Sequence, residues 1–133
     1  MTVENGEPLS YHHVENAMRA SINWVREYTR QFSEACDAYA EANADYEVGF
    51  ASTRLRVKAY GYATVDPSTG EEKFFPKPSD DMAKDVAITE NKELLRASLV
   101  KKAVLDAARQ RMLSEREKLE GLRSLMSSYR GIE

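Results

Sequence analysis

Three cations, Arg54, Arg56 and Lys58, stand on alternate positions in a stretch with no acid from Val48 to Val65, and Tyr60 and Tyr62 follow at once. Lys and Arg neutralise phosphate, and tyrosine rings stack on bases; together they make a candidate surface for single-stranded nucleic acid. A second reading of the same residues stays open: the cations pair with acids of a neighbouring helix, and the tyrosines pack beneath the linker that follows. The other reactive side chains offer less. His12 and His13 are adjacent at a helix start, so their rings diverge; with Glu15 nearby they fit a solvated pair better than a metal site. Cys36 has no neighbouring base in sequence and falls on an apolar stripe, where a thiol acts as a small hydrophobe. Glu71-Glu72 and Asp80-Asp81 read as loop and helix-cap features. With no Gly-rich phosphate loop, zinc-ligand cluster or nucleophile elbow, nothing supports catalysis, and neither a cofactor nor a metal is expected.

The elements that must position these residues are long helices. Alternating steps of four and three link Met18, Ile22, Val25, Thr29, Phe32, Cys36, Tyr39, Asn43, Tyr46, Phe50, Thr53, Val57 and Tyr60, with Asn43 the plainly polar member. No proline lies between Pro8 and Pro67. The spacing predicts one helix over about 11–60, roughly 60–65 Å long, of coiled-coil character. Ala35, Ala42 and Gly49, seven apart on the flank of this stripe, suggest a place where another backbone comes close. Ser10 is the expected N-cap, and residues 1–10 are expected to fray.

Gly61 suits a helix C-cap. Asp66 and Pro67 open a turn that Gly70 closes, so residues 62–65 and 71–75 can pair as a short hairpin inside the 61–79 linker. Phe74 and Phe75 are either a plug over the helix ends or an aromatic pair for stacking. Ser79, Asp80 and Asp81 start a second helix expected over about 80–129, ended by Gly131. Its first half is apolar over a broad arc: Val86, Ile88, Leu94, Leu95, Leu99, Val100, Val104 and Leu105. A stripe that wide faces more than one partner helix. Leu95, Leu99, Val104, Met112 and Leu119 are therefore the expected oligomerisation residues. The fold class is all-α: a single domain over 1–133, built as a long helical hairpin that self-associates like a coiled coil.

The net charge of −3 conceals a polarity, −6 over residues 1–50 and +5 over residues 92–130. An acidic balance argues against indiscriminate nucleic-acid binding but allows a local basic surface, which an oligomer would multiply. No apolar run is long enough to cross a membrane, and the polar, acidic start does not resemble a signal peptide. One cysteine cannot build a disulfide framework, which agrees with a cytoplasmic protein.

Arg54-Leu55 near the end of a long helix, an aromatic stretch to Tyr60, a Gly-bearing linker, Asp81-Met-Ala-Lys-Asp-Val86, Lys92-Glu-Leu-Leu95 and the close Leu125-Met-Ser-Ser-Tyr-Arg130 together resemble the UvsY-type recombination mediators of T-even and related phages. The resemblance covers about the last two thirds of the chain. It implies an oligomeric ring of helical protomers in the bacterial host cytoplasm that binds single-stranded DNA. Such a ring helps load the phage recombinase onto strands coated by single-strand-binding protein. The family's Lys-x-Arg-Leu pattern has Ser52 here in place of its Lys, with Arg56 and Lys58 following. The competing expectation is a helical structural or assembly-chaperone protein of a phage or prophage that binds no nucleic acid.

Overall fold

The computed structural model describes residues 10–132. The expected frayed start lies, Ser10 apart, outside the described residues. Helix α1 (Tyr11–Tyr60) is followed by strands β1 (Tyr62–Val65) and β2 (Glu72–Phe75), then by α2 (Asp80–Glu90) and α3 (Lys92–Ile132). The all-α class with a small hairpin between long helices is what the structure shows. The packing divides into two compact units, one formed by Met1–Cys36 with Ala103–Glu133 and one by Asp37–Lys102.

In the unit of residues 37–102, the end of α1 runs antiparallel to α2 and the start of α3. The contacts step in opposite directions along the two strands of chain: Lys58 meets Asp80, Arg56 meets Glu90, Thr53 meets Asn91 and Asn43 meets Ser98. Val57, Ala83 and Val86 form the core, with Tyr62 and Met82 packed against it. α1 ends where Gly61 turns left-handed (φ 81°) and its N–H bonds the Val57 carbonyl at 2.9 Å. No L side chain adopts that conformation cheaply, so glycine is required there. The loop beyond β1 is closed by the Gly70 N–H on the Asp66 carbonyl (2.8 Å), with Gly70 also left-handed (φ 73°). The Asp66 carboxylate accepts from the backbone N–H and hydroxyl of Ser68 at 2.9 and 2.7 Å, an Asx-type turn that fixes the reversal. Tyr62 then pairs with Phe75, and Val65 with Glu72. Ser79 caps α2, its hydroxyl accepting the Met82 N–H at 3.1 Å.

The single helix expected over 80–129 is interrupted at Asn91. There the backbone (φ −108°, ψ 21°) leaves helical values. The reason is the side chain. The Asn91 amide donates to the Ala87 carbonyl at 2.8 Å and to Thr53 Oγ1 at 2.9 Å, so it competes with the helix's own ladder while joining α1. At its far end α3 continues through Gly131 to Ile132, beyond the expected stop.

In the other unit, the buried residues are Val14, Ser21 and Ala35 of α1 and Ala108, Met112, Leu119 and Met126 of α3. Val14, Ser21 and Ala35 fall at multiples of seven, and Met112, Leu119 and Met126 are seven apart with Ala108 one turn before them, the mark of coiled-coil packing. In this unit the deepest positions of α1, Val14, Ser21 and Ala35, lie beside the stripe of the sequence, whereas in the 37–102 unit the buried Thr53 and Val57 belong to the stripe itself. Stripe members such as Ile22, Phe32 and Tyr39 are half-buried. Small side chains permit close approach; the larger ones then fill the sides. Glu115, which breaks the apolar pattern of α3, nonetheless keeps a side chain only 14% exposed, with Lys118 Nζ 3.9 Å from its carboxylate. On the surface, Arg30 bridges Glu27 and Glu34.

Candidate nucleic-acid interface

At 100° per residue, Arg54 and Lys58 share one flank of α1, and Arg56 stands about 160° around from both. The three cations therefore do not form one strip. They bracket the buried line through Thr53 and Val57, which are 8% and 1% exposed. On one side Lys58 forms an ion pair with Asp80, and on the other Arg56 pairs with Glu90. The Lys58 hydrogen bond and charge, followed by the charges of Arg54 and Lys84, hold the Asp80 carboxyl below the usual carboxylate range.

The Arg54/Lys58 flank carries more than charge. Phe50, Ala51, Arg54, Leu55 and Lys58 line an open hollow of about 300 Å³. Leu55, at 70% exposed, is an apolar side chain that the fold leaves in water. One guanidinium and one ammonium group beside an apolar floor are the kinds of group that can meet phosphate and base face. The lining thus combines cationic and apolar groups. Among the described residues no group of three or more His, Cys, Asp and Glu stands close enough together to hold a metal ion. Ser10 caps the start of α1 together with His13, whose Nδ1 lies 2.9 Å from the Ser10 hydroxyl.

The two tyrosines separate. Tyr60 is 80% exposed and lies four residues from Arg56, on the Glu90 side of α1. Tyr62 packs on the Val57 core, so its ring is not a free stacking face. Its place on the surface is taken by Phe74, 58% exposed, whose ring edge lies over Gly61: a Cβ there would come within 2.7 Å of Phe74 Cζ. The plug role falls to Phe75, half-buried, with Lys73 Nζ 5.0 Å from its ring centre.

The residues expected to carry self-association also divide. Met112 and Leu119 are buried in the chain's own seam and so are not offered to a partner. Leu95 is half-buried, whereas Leu99 and Val104 are 57% and 49% exposed. In the 37–102 unit Leu99 is accompanied on the surface by Val48, Ile88 and Val100. Of the hollow's apolar members, sequence reasoning placed Phe50 on the core-facing stripe, named Leu55 only beside Arg54, and passed over Ala51. The signal for Ala51 and Leu55 was a second, outward stripe at steps of three and four, Val48, Ala51 and Leu55, outside the main one. No helix among the described residues is long and apolar enough to cross a membrane.

Compared with protein-family models, curated proteins and solved structures, the chain matches none.

Proposed function

We propose that this chain is a non-catalytic accessory protein that binds single-stranded DNA as a homo-oligomer, through the flank of α1 carrying Arg54 and Lys58. The observation that carries the reading is the apolar hollow with those two cations beside it. Duplex DNA buries its base faces, so an apolar floor next to phosphate-binding cations favours unpaired strands. Exposed Tyr60 and Phe74 supply further rings for sequence-tolerant stacking. The finer role, loading a phage recombinase onto strands coated by single-strand-binding protein in the host cytoplasm, comes from the resemblance to the UvsY-type mediators and belongs to the proposal.

The test is fluorescence anisotropy with a labelled oligothymidylate. Replacing Arg54 and Lys58 together by Ala should leave helicity intact and weaken binding roughly 2- to 30-fold, from two exposed charge contacts of about 0.2–1 kcal/mol each. The slope of log K against log salt should become shallower by about 1.4, at about 0.7 per phosphate contact on a single strand. Equal competition by duplex, or an unchanged slope, refutes the reading. A second reading, a helical assembly protein, is favoured by a different observation: Ile88, Leu99 and Val100 are left exposed. In that case the charge variant would leave oligomerisation and partner capture untouched, and no oligonucleotide would bind.

A further inference from the structure

Lys58, one of the two cations beside the hollow, already has an anion. Lys58 forms an ion pair with Asp80, the first residue of α2, and Asp80 also lies within the field of Arg54. The pair sits in water, with the side chain of Lys58 40% and that of Asp80 63% exposed. Ion pairs in that setting are weak and exchange partners readily. Asp80 is not the residue that caps α2, because the Ser79 hydroxyl accepts the Met82 N–H. Nor is it the only acid at that helix end: Asp81 follows, exposed and without an ion pair among the described residues. What distinguishes Asp80 from Asp81 is its position against the cations. A carboxylate and a phosphate are alternative anions for the same ammonium and guanidinium groups.

We propose that Asp80 is a built-in competitor for the Arg54/Lys58 flank, a tethered carboxylate that a nucleic-acid phosphate must displace before the strand can bind. The inference rests on the reading of this flank as a single-strand surface. The competitor sets an affinity threshold. An isolated phosphate, or a short or weakly held strand, does not outbid a carboxylate held at a fixed place by its own helix. A longer strand that also covers the apolar floor does. The penalty is the same for every anion that uses these cations, so a long strand with further contacts still binds where a free nucleotide or a scattered phosphate falls below the threshold.

The experiment compares the full chain with Asp80→Asn, Asp81→Asn, Arg54→Ala/Lys58→Ala and the combination of Asp80→Asn with those two changes. Each is titrated with the same labelled oligothymidylate at fixed salt. Asp80→Asn should bind about two- to fivefold more tightly than the parent, and Asp81→Asn, which removes the same charge one residue on, should shift affinity by less than about 1.5-fold. The gain from Asp80→Asn should vanish when Arg54 and Lys58 are already Ala, as coupled groups require. Circular dichroism and melting establish that each variant is folded; Asp80→Ser replaces Asp80→Asn if the latter melts early. Equal gains from the two Asp→Asn changes, or a gain that survives loss of the cations, overturns the competitor while leaving the binding surface in place. If the Arg54→Ala/Lys58→Ala protein binds as well as the parent, the surface itself is wrong and the competitor falls with it.

Discussion

Gly49 tests how closely α1 and the start of α3 approach. A Cβ built on it would stand far inside contact distance of Asn91 Oδ1, 3.2 Å from Asn91 Cγ and 3.1 Å from Leu94 Cδ1. Asn91 cannot simply swing away, because its amide is held by Thr53 Oγ1 and the Ala87 carbonyl. Gly49→Ala therefore sets two effects against each other. Helix propensity favours Ala by about 1 kcal/mol. Overpacking costs about 1–3 kcal/mol, and weakening two buried hydrogen bonds costs about 0.5–1.5 kcal/mol each. The clash wins, and the net expectation is destabilisation by about 1–5 kcal/mol.

Gly121 is the internal control. It too lies inside a helix, but nothing stands within 4 Å of where its Cβ would be. Gly121→Ala should express propensity alone and stabilise by about 0.5–1 kcal/mol. Urea unfolding followed by circular dichroism, at one fixed protein concentration, measures both. In thermal melts the two variants should move Tm in opposite directions, by roughly 3–5 °C per kcal/mol for a chain of this size. A Gly49→Ala protein as stable as the parent would refute the close approach at Asn91, and with it the register in which Lys58 faces Asp80.

Two further outcomes are expected. Glu27 is pushed down to about 2, first by its hydrogen bond from Arg30 and then by one from Gln31. As a depressed carboxylate, it contributes stability that is fully present above its ordinary value of 4.5 and is lost as pH falls toward 2; an NMR titration of its carboxyl with a midpoint near 4.5 would contradict the Glu27–Arg30–Glu34 cluster. Leu99→Asp should keep the helices and lower the mass seen by light scattering, whereas Met112→Asp should abolish folding, because Leu99 is 57% exposed and Met112 only 5%. A parent that scatters as a single chain at micromolar concentration would remove the case for self-association.

Much of this arrangement is legible in the residues alone, for local reasons. A proline-free run with an unbroken 3/4 stripe has little choice but to be helix, and α1 begins and ends where Ser10 and Gly61 place it. Asp66-Pro67 with Gly70, and Ser79 before two acids, carry their turn and cap chemistry in side chains close by. The features that escaped are tertiary. Asn91 breaks the second helix because a partner 38 residues earlier, Thr53, holds its amide, and no local pattern announces that. Toward the start of α1 the seam settled on Ser21 and Ala35 beside the stripe, while Thr53 and Val57 of the stripe are buried near its end, because backbone proximity is decided by what the facing helix can accept. The sidedness of Arg54, Arg56 and Lys58 is another matter. Helical geometry separates alternate residues by about 160°, so the division into two flanks follows from spacing once the helix is granted.

That division links the packing to the proposed chemistry. Within the 37–102 unit, the register of α1 against α2 and α3 is pinned by polar contacts at seam positions: Asn91 on Thr53 and Ser98 facing Asn43. Polar groups at such positions contribute less to stability than hydrocarbon would, but they penalise every slipped alignment that leaves them unpaired. A slip of one helical turn displaces facing residues by about 5.4 Å. That shift would carry Asp80 away from Lys58 and Glu90 away from Arg56, and it would leave both cations unbalanced. The Gly49 notch admits Asn91 in one alignment only. The Asn91–Thr53 pair at the break in the second helix thus helps fix which acid stands against which base. In this way an uncharged layer of Asn, Ser and Thr holds the alignment in which Lys58 meets Asp80 and Arg56 meets Glu90.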